Sequence, residues 1–239
     1  MPPPDEFQAT VARAALQAAA DHGFALAGGN ALAAHGIISR PTHDVDLFAA
    51  EPGAVDAAAR PVADALAAAG LTVTPVAPAH DVDLAEEFYG FDQEMTEYEV
   101  SDGSRSVLLQ LVRFDRSRPA VAMDIGPVLH LDDLLATKVG ALATRAEPRD
   151  LADVAAALAR YDREHLISLA RQAEPGLHDE EFAEAMQRLD RLDDAVFTEQ
   201  YGFSPEQVQG IRGAFADWPR SAEPEPQADR REPEPEAGA

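Results

Sequence analysis

Residues 26–48 read LAGGNALAAHGIISRPTHDVDLF. FALAGG (24–29) predicts a buried strand running into a glycine turn, and NALAAHG a short helix that starts at Asn30 or just before it. DVDLFAA (44–50) predicts a second strand. Side chains two apart on a strand share a face, so Asp44 and Asp46 project together with Val45 packed behind them. Two carboxylates on one face repel unless a cation lies between them. Mg2+ takes oxygen ligands and is commonly held by one or two carboxylates plus substrate phosphates. Gly28 and Gly29 offer bare backbone amides at a helix start, a place for nucleotide phosphates. A phosphate cradle beside a metal-binding acidic pair is the equipment of phosphoryl or nucleotidyl transfer.

A lone Asp-x-Asp is more often a solvated face than a site. The pentapeptide HDVDL shows the contrast, because it occurs at 43–47 and again at 80–84. No glycine turn precedes the second copy, which follows Pro75 and Pro78 and leads into Glu86-Glu87. The first copy is therefore read as the site and the second as an echo in an acidic loop. His43 and His80 are read as ordinary loop residues.

Length and composition fit a soluble globular chain with a real core: 239 residues, 46% hydrophobic. There are no cysteines, which excludes disulfides and thiolate metal sites and fits the expected cytoplasmic location. No apolar run approaches the roughly 20 residues that span a bilayer, so no membrane association is expected. MPPPDEF carries no signal-peptide pattern. The formal charge of −24 repels nucleic acid at long range, so a polynucleotide partner must meet a local basic patch.

Along the chain, 5–21 predicts an Ala-rich helix ended by Gly23, and 53–69 a helix that Pro61 should kink or split. LTVTPV, MTEYEV (95–100) and SVLLQLVRF (106–114) predict strands, the last two joined around Asp102-Gly103. AVAMDI (120–125) predicts a further short strand, and 131–217 is helical throughout. The expected architecture is α+β: a mixed sheet with helices over 1–127, a helical domain over 128–218, and a disordered acidic Pro-rich tail over 219–239.

Two blocks, LAGGNALAAHGIISRPTHDVDLF and LATKVGALATRAEPRDLADVAAAL (135–158), resemble the AbiEii/AbiGii toxin family of the DNA polymerase β-like nucleotidyltransferase superfamily. The resemblance covers most of residues 24–160. It implies a polymerase-β-like nucleotidyltransferase fold followed by a helical bundle, with two Mg2+ ions as cofactor and an NTP as substrate. The implied acceptor is RNA, typically tRNA, whose modification stops translation and growth. The implied partner is a separately encoded antitoxin, often one that acts without stable contact.

Site roles combine the residues with that resemblance. Asp44 and Asp46 are the metal pair, and Gly28, Gly29 and Asn30 grip the triphosphate tail. Lys138, the only lysine in an arginine-rich chain, suits a phosphate oxygen as a compact point charge. The resemblance puts it on the triphosphate. Lys138 and Arg145, seven apart, share a helix face. On the next helix, i,i+4 geometry puts Arg149 near Asp153, and the resemblance makes Asp150 and Asp153 supports of the site. Arg40 neutralises phosphate or holds the loop. The superfamily often has a third carboxylate on a neighbouring strand. Gln110 cannot supply that acid, Asp115 is too near the loop, and Asp124 is the candidate third metal ligand.

Two other readings stand beside this one: a small-molecule nucleotidyltransferase acting on a cationic aminoglycoside, and a catalytically inactive nucleotide-binding homologue. A basic groove of Arg113, Arg116, Arg118, Arg145 and Arg149 around Asp44 would favour RNA.

Overall fold

A computed structural model describes residues 6–76 and 94–221. The second HDVDL, His80 and nearly all of the expected tail lie outside the described residues. Helix α1 (Glu6–Ala18) buries Phe7, Val11, Ala12, Ala15 and Leu16 at helical spacing. A short 3-10 turn follows, and Gly23 caps it with φ 69°.

Strand β1 (Ala25–Leu26) leads into α2 (Gly28–Ala34), then β2 (Asp44–Ala49) and α3 (Ala54–Ala68). Helix α3 is a single helix through Pro61, so the expected split does not occur. Both Pro61 and Ala57, whose carbonyl loses its helical partner, are exposed, so that oxygen is open to solvent.

Strands β3 (Thr72–Pro75), β4 (Met95–Ser101) and β5 (Ser106–Arg113) follow. Asp102 shapes the β4–β5 turn by accepting from the amides of Ser104 and Arg105. Strands β6 (Val121–Met123) and β7 (Gly126–Val128) form a tight hairpin where one strand was expected.

One seven-stranded mixed sheet runs β3-β4-β5-β2-β1-β7-β6. Strand β2 is central, parallel to β5 and antiparallel to β1. Helices α1 and α3 pack on each other and on the sheet. The Tyr98 hydroxyl of β4 donates to Ala59 O of α3, so that sheet face lies under α3.

The remaining α-helices are α4 (Leu131–Thr144), α5 (Pro148–Leu158), α6 (Arg163–Ala173), α7 (Asp179–Arg191) and α8 (Pro205–Ala214), with a π-helical turn (Val196–Gln200) before the last. Local caps start several of them: His130 Nδ1 for α4, Asp162 for α6, Ser204 for α8. The buried core is continuous from α1 to Trp218, and the proposed unit boundary at 127/128 falls inside β7. No helix among the described residues is long and apolar enough to cross a membrane.

Candidate active site

Asp44 and Asp46 occupy the start of β2, and both line one cleft of about 290 Å3 together with Gly28, Gln110, Lys138, Arg145 and Arg149. The shared face expected from their spacing is therefore present. Asp46 is buried, whereas the Asp44 side chain is 31% exposed. Gly28 has φ +58°, and a Cβ there would overlap the Asp46 carboxylate, lying 2.7 Å from Cγ. Only glycine allows that approach. Gly29 is packed instead on Thr42, whose Cγ2 would be 2.8 Å from an added Cβ.

A polar tether behind the strand fixes where the acids sit. Asn30 Nδ2 donates to Asp44 O at 2.7 Å and to Gln8 Oε1 at 3.2 Å. Thr42 Oγ1 donates to Gln8 Oε1 at 2.6 Å, and Gln8 Nε2 donates to Thr42 O at 2.6 Å. Asn30 therefore does not line the cleft with the acids. Its side-chain amide is committed to the backbone of the strand that carries them. Gln8 was missed by the sequence reading. Its signal was its place on the apolar stripe of α1, where it is buried among Phe7, Val11 and Ala12.

Opposite the acids, α4 and α5 supply cations backed by buried carboxylates. Asp153 is almost wholly buried and takes Arg40 bidentately, at 2.8 Å to each oxygen, and Lys138 Nζ at 3.1 Å. Burial alone would raise its pKa. Lys138 and then Arg40 outweigh that and hold it below the usual carboxylate value. Arg40 thus holds its loop rather than reaching a phosphate. Asp150, fully buried, accepts Arg145 at 2.8 and 3.0 Å.

The expected Arg149–Asp153 approach is not formed. Two cations already satisfy Asp153, and Arg149 reaches Glu147 at 2.9 Å with Nη1 3.9 Å from Asp44 Oδ2. Burial raises the pKa of Tyr201, and the field of Glu147 adds to this, which places the phenol beside the same cluster.

The cleft continues along the sheet to Phe48, Phe114, Arg113, Asp115 and Glu174. The two phenyl rings lie 5.3 Å apart, and Arg113 pairs with Asp115 at 2.9 Å. Burial raises the Glu174 pKa, with the Glu181 charge adding. None of these could be placed from sequence alone, because their proximity depends on sheet register and on α6.

Asp124 is not brought to the pair. It occupies the turn of the β6–β7 hairpin, and Met123 pairs with Gly126 across it. Leu47 pairs with Leu26, and Leu26 with Val128, so Asp44 and Asp124 lie toward opposite ends of the sheet. Arg116 donates to Gly23 O and Arg118 pairs with Asp132, so neither lines the cleft. His43 is exposed, as a loop residue.

The donor set suits a hard divalent cation. Two carboxylates face one cleft, and Gly28, lacking a Cβ, lets the Asp46 carboxylate pack against its backbone. No group of three or more His, Cys, Asp or Glu residues forms a metal cluster among the described residues.

The profile of a family described as nucleotidyl transferase AbiEii toxin, type IV TA system, matches residues 11–229. The chain belongs to the AbiEii family. Membership makes it a nucleotidyltransferase of toxin–antitoxin type, an enzyme that takes an NTP and generally a divalent metal, and it implies a separate antitoxin.

Two solved structures of H. pylori share the fold. JHP933 from Helicobacter pylori aligns at TM-score 0.52 and 16% identity, over 89% of this chain and 91% of its own. An H. pylori protein described as a nucleotidyltransferase aligns at 0.50 and 16%, over 87% and 91%. MenT4, a nucleotidyltransferase toxin of Mycobacterium tuberculosis H37Rv, aligns at 0.45 and 17%, over 87% and 88%. No curated protein matches this AbiEii-family chain in sequence.

Proposed function

We propose that this AbiEii-family chain transfers a nucleoside monophosphate from an NTP to an RNA acceptor, tRNA, and so blocks translation and growth. The observation that carries the transfer is the convergence of Asp44, Asp46 and Gly28 on one cleft that also holds Lys138, Arg145 and Arg149. Asp44 and Asp46 would hold two Mg2+ ions. When bound, these supply charge stabilisation at the α-phosphate and the leaving pyrophosphate.

The protein's own groups do the rest. The backbone amides of Gly28 and Gly29, at the start of α2, donate to the triphosphate. Lys138, held at Asp153, meets phosphate oxygens as a fixed point charge. Arg145 and Arg149 orient the tail. The acceptor oxygen bonds to the α-phosphorus, the bond to the bridging oxygen breaks, pyrophosphate leaves, and the hydroxyl proton passes to water at the open side of the cleft.

A second reading, transfer to a cationic small molecule of aminoglycoside type, draws on the charge of the lining. Four cations (Arg113, Lys138, Arg145, Arg149) are matched by four carboxylates (Asp44, Asp46, Asp115, Glu174), so the cleft is not the basic groove that RNA would favour. One experiment separates the readings: the protein with Mg2+, each labelled NTP, and either total RNA or an aminoglycoside. RNA labelling that Asp46→Ala abolishes supports the proposal. Label in the aminoglycoside alone replaces it with the second reading, and NTP binding without turnover reduces the chain to a nucleotide-binding homologue.

A further inference from the structure

We propose that Gln110 is the third arm of the metal site, a neutral ligand aimed by Glu97. The protein alone then binds a single divalent ion, and a second enters only with nucleotide phosphates. This rests on the reading above that Asp44 and Asp46 hold metal.

The position follows from register. In the parallel pair of β2 and β5, Asp46 lies opposite Gln110, and both line the cleft and are buried, at 8% and 7% exposure. Among the described residues no third acid or histidine joins the pair, so the next donor along the sheet is this amide. An amide can turn either its oxygen or its nitrogen toward a cation, and only the oxygen is a ligand. Glu97 decides which. It lies opposite Gln110 on β4 and accepts from Gln110 Nε2 at 2.5 Å.

An ionised carboxylate can only accept, so it draws the NH2 group to itself and leaves the carbonyl oxygen as the amide's other end. Glu97 also stands on the correct face. Its neighbour Tyr98 reaches α3 on the opposite side, and successive strand residues alternate.

Charge then sets the stoichiometry. Two carboxylates balance one divalent ion, and the Arg149 guanidinium 3.9 Å from Asp44 already offsets part of that charge. A neutral amide adds none. A second dication beside the first meets strong repulsion until a triphosphate supplies more negative oxygen, the usual setting for Mg2+ in such sites.

The test uses the full chain and Mn2+ as the probe, with binding followed by calorimetry and by electron paramagnetic resonance. Wild type should bind one Mn2+ per chain, and a second only after a non-hydrolysable NTP analogue is added. Gln110→Ala should weaken the first ion by about tenfold. The double exchange Glu97→Gln with Gln110→Glu keeps an amide–carboxylate hydrogen bond between the strands but moves the charge into the cleft. It should take up a second Mn2+ without nucleotide.

Two Mn2+ ions on nucleotide-free wild type would overturn the proposal, and so would unchanged Mn2+ affinity in a folded Gln110→Ala. Both are read against Asp46→Asn. If that control loses Mn2+ binding, the metal pair stands and only the role of Gln110 has failed. If it keeps full binding, the metal reading of Asp44 and Asp46 fails, and this inference with it.

Discussion

Gly28 sets its bare Cα directly against the Asp46 carboxylate, in a backbone conformation with φ +58°. Gly28→Ala therefore meets two obstacles at one atom. The left-handed conformation costs roughly 1–2 kcal/mol with a side chain, and the Cβ must displace the acid. Misplacement of about 1 Å costs on the order of 100-fold in rate. Nucleotide transfer by Gly28→Ala should fall by about that factor with only a modest loss of thermal stability, measured by labelled-NMP incorporation and by calorimetry.

Asp153 and Lys138 should separate stability from activity. Asp153→Ala leaves the Arg40 and Lys138 cations facing a buried gap, and removing one partner of such a buried network costs about 3–5 kcal/mol. Lys138→Ala leaves Asp153 still paired with Arg40. It should keep most of the stability while abolishing transfer. Urea unfolding beside the transfer assay distinguishes the two.

Acid should act on the same carboxylate. The folded pKa of Asp153 is held below its ordinary value, so the folded state binds fewer protons there than the unfolded chain. Its contribution is fully present above the unfolded value, about 3.9, and is lost as pH falls through the lower folded value. Asp153→Asn should flatten the stability–pH curve below about pH 4 and leave its slope near neutrality unchanged, as read from urea midpoints across pH.

The glycine turn, the acids of β2, the shared face of Lys138 and Arg145 and the run of helices were legible because each is a local pattern of strand, turn or helix period. The contacts that complete the site were not local. Arg40 and Asp153 are 113 residues apart. Gln110 meets Glu97 only through the β4–β5 register, which no single strand displays. Asp124 misled because a two-residue turn interrupts what reads as one apolar strand. Gln8 was legible in principle, as a polar residue on a buried helical stripe, but its partners Thr42 and Asn30 were not.

Gln8→Leu should test that tether. It removes the partner of the Thr42 carbonyl, leaves the Thr42 hydroxyl with Asn30 Oδ1 alone, and frees one contact of Asn30 Nδ2. Leaving such groups unsatisfied costs about 1–3 kcal/mol. Because Asn30 also holds Asp44 O, transfer should drop by roughly tenfold or more through displaced acids. Thermal denaturation and single-turnover rates give the two numbers.

An early loop and two consecutive later helices meet at one buried carboxylate: the loop at Arg40, helix α4 at Lys138 and helix α5 at Asp153. During synthesis the acids and the glycine bend leave the ribosome long before that anchor does. A truncated polypeptide ending ahead of α5 would carry every recognisable motif of the first block, yet its loop arginine and its single lysine would have nothing to brace them. Competence therefore arrives late, with the emergence of residue 153, and shortened translation products should be inert.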